Sequence, residues 1–86
     1  MNKPEIKFPV TYDLKVIMES GNDVENQIVI KKALDNLKIS NSNWDIRESS
    51  LGNYKRYSVK ITVISKKIME ELYNVLPKIP KVKSVL

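Results

Sequence analysis

Apolar and polar positions alternate along two long stretches of the chain and recur at helical spacing along two others. Tyr57, Val59, Ile61 and Val63 alternate with Ser58, Lys60 and Thr62, the period-two pattern of a strand with one buried and one wet face. This predicts a strand from Tyr57 to Ile64 at the centre of a sheet. Tyr12, Leu14, Val16 and Met18 alternate with Thr11, Asp13 and Lys15 in the stretch Val10 to Glu19, and only Ile17 breaks the polar side. Trp44 and Ile46 alternate with Asp45 and Arg47 in a shorter strand, Trp44 to Glu48. A connection from Ser49 to Arg56 joins it to the central strand and holds Gly52 beside Asn53. That is longer than a tight hairpin needs and predicts a protruding tip.

Helical spacing appears from Asp23 to Leu37, where Val29, Ile30, Ala33, Leu34 and Leu37 share one side and Val24 and Ile28 fall off it. Gly21 frees the preceding turn, and Asn22 or Asp23 is placed to cap the helix. A second helix is predicted over Lys66 to Leu76, with Ser65 as cap and Ile68, Met69, Leu72, Val75 and Leu76 as the buried stripe. Pro77 and Pro80 bound its exit, and Val82 to Leu86 reads as a last strand. Residues 1–7 form a polar, flexible tail, and residues 8–86 a single domain.

Strand, helix, strand, strand, helix, strand with right-handed crossovers predicts an α+β, ferredoxin-like βαββαβ sandwich: a four-stranded antiparallel sheet in spatial order 4-1-3-2 with both helices on one face. The open face is then expected to carry Asp13, Lys15, Ile17, Asp45, Arg47, Ser58, Lys60, Thr62, Lys83 and Val85.

Composition narrows the chemistry. The 86 residues contain neither Cys nor His, the side chains on which most nucleophilic, general-base and zinc or iron sites draw. A non-enzymatic protein without metal or cofactor is expected. The amino end lacks the apolar core of a signal peptide, and no apolar run reaches the ~18 residues of a membrane helix, so a cytoplasmic protein is expected.

The net charge is +5. Residues 1–43 are balanced, with six basic and six acidic residues, whereas residues 44–86 hold nine basic against four acidic. Such asymmetry marks a nucleic-acid or anion partner, or only a residue usage that leans to Lys. Lys15, Arg47, Lys60 and Lys83 on the open face, with Lys55 and Arg56 at its rim, form the candidate anion or nucleic-acid surface. Asp13 and Asp45 dilute it. The open-face aromatics with which RNA-recognition motifs stack bases are absent from these positions. Tyr54, flanked by Lys55 and Arg56, reads either as a stacking platform or as a solvated hairpin tip. Trp44 reads as core, and Glu70 and Glu71, which diverge on their helix, as solvated surface.

Phe8-Pro9, Lys15-Val16-Ile17-Met18, Ser49-Ser50-Leu51-Gly52-Asn53-Tyr54, Tyr57-Ser58-Val59 and Val82-Lys83-Ser84-Val85-Leu86, in this order and spacing, resemble the YbeD-like family of small bacterial proteins over residues 8 to 86. The chain departs from the family pattern at Leu51, where a Lys is common, and by about two extra residues before Ser58-Val59. The resemblance implies a ferredoxin-like fold compared with the ACT regulatory domains of amino-acid metabolism. It also carries a suggested link to regulation of lipoate metabolism. ACT domains pair through sheet edges or helices and bind effectors near the turn after the first strand. By that likeness Ser20, Gly21 and Asn22 are the candidate ligand-binding residues, although the Asp-x-Pro-Gly-like character of many ACT turns is missing here. The expectation is a small regulatory or interaction module, self-associating and binding a small metabolite or a partner enzyme. The alternative is a nucleic-acid-binding protein using its basic open face.

Overall fold

The computed structural model describes residues 6–48 and 52–86. Four strands and two helices follow in the order β1 (Val10–Glu19), α1 (Asp23–Asn36), β2 (Ser40–Glu48), β3 (Tyr54–Val63), α2 (Lys66–Val75) and β4 (Val82–Val85), with a 3-10 turn, Leu76–Lys78, between α2 and β4. The sheet runs β2-β3-β1-β4 with every neighbour antiparallel, the order expected from the βαββαβ pattern.

The alternation in β1 and β3 sets the register. Leu14 lies opposite Val59, Tyr12 opposite Ile61 and Val16 opposite Tyr57. This phase sends Leu14, Val16, Met18, Tyr57, Val59, Ile61 and Val63 to one face, where Ile30 and Leu34 of α1 and Leu72 and Leu76 from the second helical segment complete the buried core. Each such side chain contributes ~1.5–3 kcal/mol by leaving water. Trp44 packs against this core, while Glu70 and Glu71 are exposed. Val24 and Ile28 are exposed, as their off-stripe positions require.

Both helices begin at side-chain caps. Asn22 Oδ1 accepts from the Glu25 amide at 3.1 Å, and Ser65 Oγ accepts from the Ile68 amide at 3.2 Å. Asp23 and Glu25 in the first turn of α1 favour its positive end. The exit of α1 is a Schellman reversal, in which the Ile39 amide donates to Leu34 O and the Lys38 amide to Asp35 O, both at 2.9 Å. Lys38 takes the left-handed conformation (φ 58°) usual for glycine there.

Several boundaries differ from those read in the sequence. β2 begins at Ser40 rather than Trp44, since Ser40, Asn41 and Ser42 pair with Thr62, Ile61 and Lys60 before the register shifts between Ser42 and Asp45, where Asn43 adopts φ 54°. That irregularity slips the apolar phase from Ile39 to Trp44 and Ile46, so no single alternation runs through the strand. Ile39, within the stretch read as a polar connection, is buried in the core. β3 begins at Tyr54 rather than Tyr57, so Lys55 and Arg56 are strand residues and not part of the turn. Ser49 to Leu51 of the expected protruding tip lie outside the described residues.

On the helices, Val29 and Val75 are 39% and 37% exposed rather than buried, and Asn26 takes a core position instead. At β4 a register shift opposite Ile17 and Met18 puts Ser84 across from Ile17 and Val85 across from Val16. Val85 therefore belongs to the helix face, not the open one, and Lys83 is left without a β1 partner. The β4 ladder continues to Leu86, whose amide donates to Lys15 O at 2.7 Å and whose carbonyl accepts from Lys15 N at 3.1 Å.

The face assignment has a direct test. Ile61→Asp buries an unpaired carboxylate and is expected to cost several kcal/mol of the ~5–15 available to a small domain. Lys60→Asp on the open face, opposite Asp13, should cost less than ~1 kcal/mol, from like-charge repulsion across the ladder. Urea unfolding of the two variants side by side checks this ordering.

Candidate functional site

At the end of the sheet where β1 passes into α1, polar groups form a connected cluster under the helix. Asn26, two turns before Leu34 and one before Ile30 on the buried row, is only 4% exposed. Its Nδ2 donates to Glu19 O at 3.3 Å and to Tyr57 Oη at 3.1 Å. Tyr57 Oη in turn donates to Asp23 Oδ1 at 2.8 Å, and Lys55 Nζ donates to both oxygens of the same carboxylate at 3.0 and 2.8 Å. The end of β1, the start of α1 and the start of β3 are thereby fastened together, the bonds to Asp23 being charge-assisted.

The protonation of these groups follows from their partners. Asp23 is held below its ordinary value of 3.8, first by the Lys55 ammonium and then by the Tyr57 hydroxyl. Lys55 is raised by Asp23, and Tyr57 is raised chiefly by burial. Two other groups respond in the same way. Asp35 is lowered by Asn41 Nδ2 and then by Lys31. Tyr12 is raised by burial and by its 2.8 Å hydroxyl bond to Tyr73.

Ser20, Gly21 and Asn22 border this cluster. The Ser20 amide donates to Asn53 O at 2.9 Å and Ser20 Oγ to Gly52 O at 2.7 Å, tying the turn to the β2–β3 hairpin. Asn22 is the helix cap, so its side-chain oxygen already has a partner. Gly21 is exposed and lies beside β4's approach: the Glu19 amide donates to Lys81 O at 2.9 Å, and a Cβ at Gly21 would stand 3.6 Å from the Lys81 ammonium.

The basic residues expected to act together are divided between the two faces. Lys55 points to the helix side and is held by Asp23. On the open face Lys15 lies opposite Ser58, Lys60 opposite Asp13 and Arg47 opposite Arg56. Arg47 Nε donates to Asp45 Oδ2 at 3.1 Å across exposed surface, and Lys83 sits apart at the β4 irregularity. A shallow cavity of about 240 Å³ opens at the Arg47–Arg56 end, lined by Ile17, Arg47, Glu48, Tyr54, Lys55 and Arg56.

The sequence reading did not find the Asn26–Tyr57–Asp23–Lys55 cluster. Its one available signal was an Asn at the spacing of Ile30 and Leu34. Among the described residues no group of His, Cys, Asp or Glu is gathered as for a metal ion, and no helix is long and apolar enough to cross a membrane.

This architecture defines an ACT-like, ferredoxin-like α+β domain. The family model described as "Protein of unknown function (DUF493)" matches residues 3–86, and the chain belongs to that family, as a YbeD-like protein. It is 27% identical over 81 residues to a UPF0250 protein of Shewanella piezotolerans, covering 94% of this chain and 90% of the relative. It is 29% identical over 87 residues to a UPF0250 protein of Paraburkholderia phytofirmans, covering 100% and 97%. Among solved structures it resembles protein HP0495 of H. pylori, with a TM-score of 0.77 at 20% identity over 98% of this chain and 88% of that one. It also resembles the ACT domain of GTP pyrophosphokinase from Chlorobium tepidum, with a TM-score of 0.68 at 15% identity over 91% and 96%.

The cluster makes stability depend on pH in a stated direction. Because the folded-state pKa of Asp23 lies below 3.8, its pairing stabilises the fold above that value and is lost as pH falls through the folded value. Asp23→Asn is expected to lower the urea midpoint at pH 7, and the gap from wild type should close as pH drops below 3.8. Tyr57→Phe, which removes the hydroxyl between Asn26 and Asp23, should cost about 1–3 kcal/mol at neutral pH.

Proposed function

We propose that the protein is a small non-enzymatic regulatory module that self-associates and binds a small metabolite where the β1–α1 turn meets the hairpin and the start of β4. The observation that carries this reading is the convergence of those three segments. Ser20 is bonded twice to the hairpin, Glu19 to Lys81, and the Lys81 ammonium stands beside the exposed backbone of Gly21. A ligand with an acidic group meets both a cation and exposed backbone there, and its binding acts on all three segments at once. The ACT-like fold supports a regulatory role by analogy, which is weaker than the geometry of a site.

The absence of catalysis in this reading is supported by what the shifted groups do. Asp23, Lys55 and Tyr57 hold one another, as do Tyr12 and Tyr73, and Asp35 with Asn41 and Lys31. Burial or a partner inside the fold accounts for each perturbation without a reacting substrate. The nucleic-acid reading draws less support, since Asp13 and Asp45 stand against Lys60 and Arg47 and Lys55 is turned away from the open face.

Sedimentation equilibrium and a thermal-shift screen of amino acids and lipoate-related compounds test the proposal. A dimer is expected, together with a rise in melting temperature for at least one acid. Gly21→Val should abolish that rise without unfolding the chain, because its Cβ meets only ordinary contact distance. A strict monomer whose melting no compound shifts would remove the reading.

A further inference from the structure

Two guanidinium side chains stand directly opposite each other on the open face, Arg47 on β2 and Arg56 on β3. Like charges in that position, with Cβ atoms ~4.5–5.5 Å apart, destabilise a sheet. Ile17 lies across from Arg56 on β1 and lines the same cavity as both arginines. Asp45 relieves Arg47 through a single exposed bond at 3.1 Å. Arg56 is partly buried, and its Nε has no hydrogen-bond partner among the described residues. A buried donor left unsatisfied is costly. The repulsion is relieved by one event, the arrival of an anion between the two forks.

We infer that this cavity is a binding site for a small organic anion with one carboxylate or phosphate head and a short apolar tail. Guanidinium forks match the oxygens of either head, donating parallel N–H bonds that a lysine pair does not reproduce. The apolar side chain of Ile17 takes the tail. The volume of about 240 Å³ is below the ~300–1,000 Å³ of pockets for drug-sized ligands, which limits the ligand to a few carbon atoms beside its head. Glu48 at the margin adds a negative charge that disfavours a polyanion, so a nucleic-acid strand fits the site less well than a compact ion. The cavity is lined by residues other than Ser20, Gly21 and Asn22.

The test is a titration of the full ¹⁵N-labelled chain with butyrate, inorganic phosphate, sodium chloride at matched ionic strength and a short oligouridylate. The signals to follow are the Arg56 Nε–H resonance and the backbone amides of Ile17, Arg47 and Arg56. Butyrate and phosphate are each expected to shift these signals saturably, and sodium chloride is not. Arg47→Gln and Arg56→Gln should each weaken binding by about tenfold or more, while Lys32→Gln on α1 leaves it unchanged. Arg47 is exposed, so its variant tests the site even if Arg56→Gln perturbs packing. Equal shifts with chloride, unchanged binding in the folded Arg47→Gln variant, or shifts produced only by the oligonucleotide would each overturn the inference.

Discussion

One face of a four-stranded sheet has to be kept dry, and the two central strands do most of that work. β1 and β3 are paired along ten residues each, and their inward positions carry seven fully buried apolar side chains. Because side chains alternate with a period of two, a one-residue slip would exchange the core for the open face. The helices can cover the sheet only in the register that exists, and the edge strands β2 and β4 are then free to contain irregularities without moving the core.

Against that apolar layer, the Asn26–Tyr57–Asp23–Lys55 cluster is a local exception that fits the energetics. Burying an amide and a phenol is tolerable only where each finds partners, and here they find one another, the Glu19 carbonyl and an ion pair. The cluster fixes the start of α1 against both central strands. It thereby determines the shape of the β1–α1 turn, the corner at which a ligand is proposed to act. The open face is organised differently. Asp13 faces Lys60 across the ladder, and the Arg47–Arg56 pair stands out because the ladder there opposes like with like. A regulatory module with one ligand at its corner and an anion on its sheet would have two inputs joined by β1 and β3, since Ile17 and Glu19 on one strand and Tyr54 to Tyr57 on the other serve both places.

The element order, sheet topology and buried faces of β1 and β3 were legible in the amino-acid sequence because they rest on local periodicity, which the chain records directly. The caps at Asn22 and Ser65 were legible for the same reason: capping is chemistry within four residues. The early start of β2 was not, because the irregularity near Asn43 shifts the apolar phase partway through the strand. The early start of β3 was hidden by Lys55, a charge at an inward position that makes sense only once Asp23 is brought to it from 32 residues away. The facing of Val85 was misread because a register shift on one strand depends on its neighbour. Asn26 entered the core in place of Val29 for a similar reason, since its partners belong to β1 and β3. Pairings across the sheet, and the two arginines that meet there, were decided by tertiary structure alone, because a cross-strand neighbour is set by register and not by position in the chain.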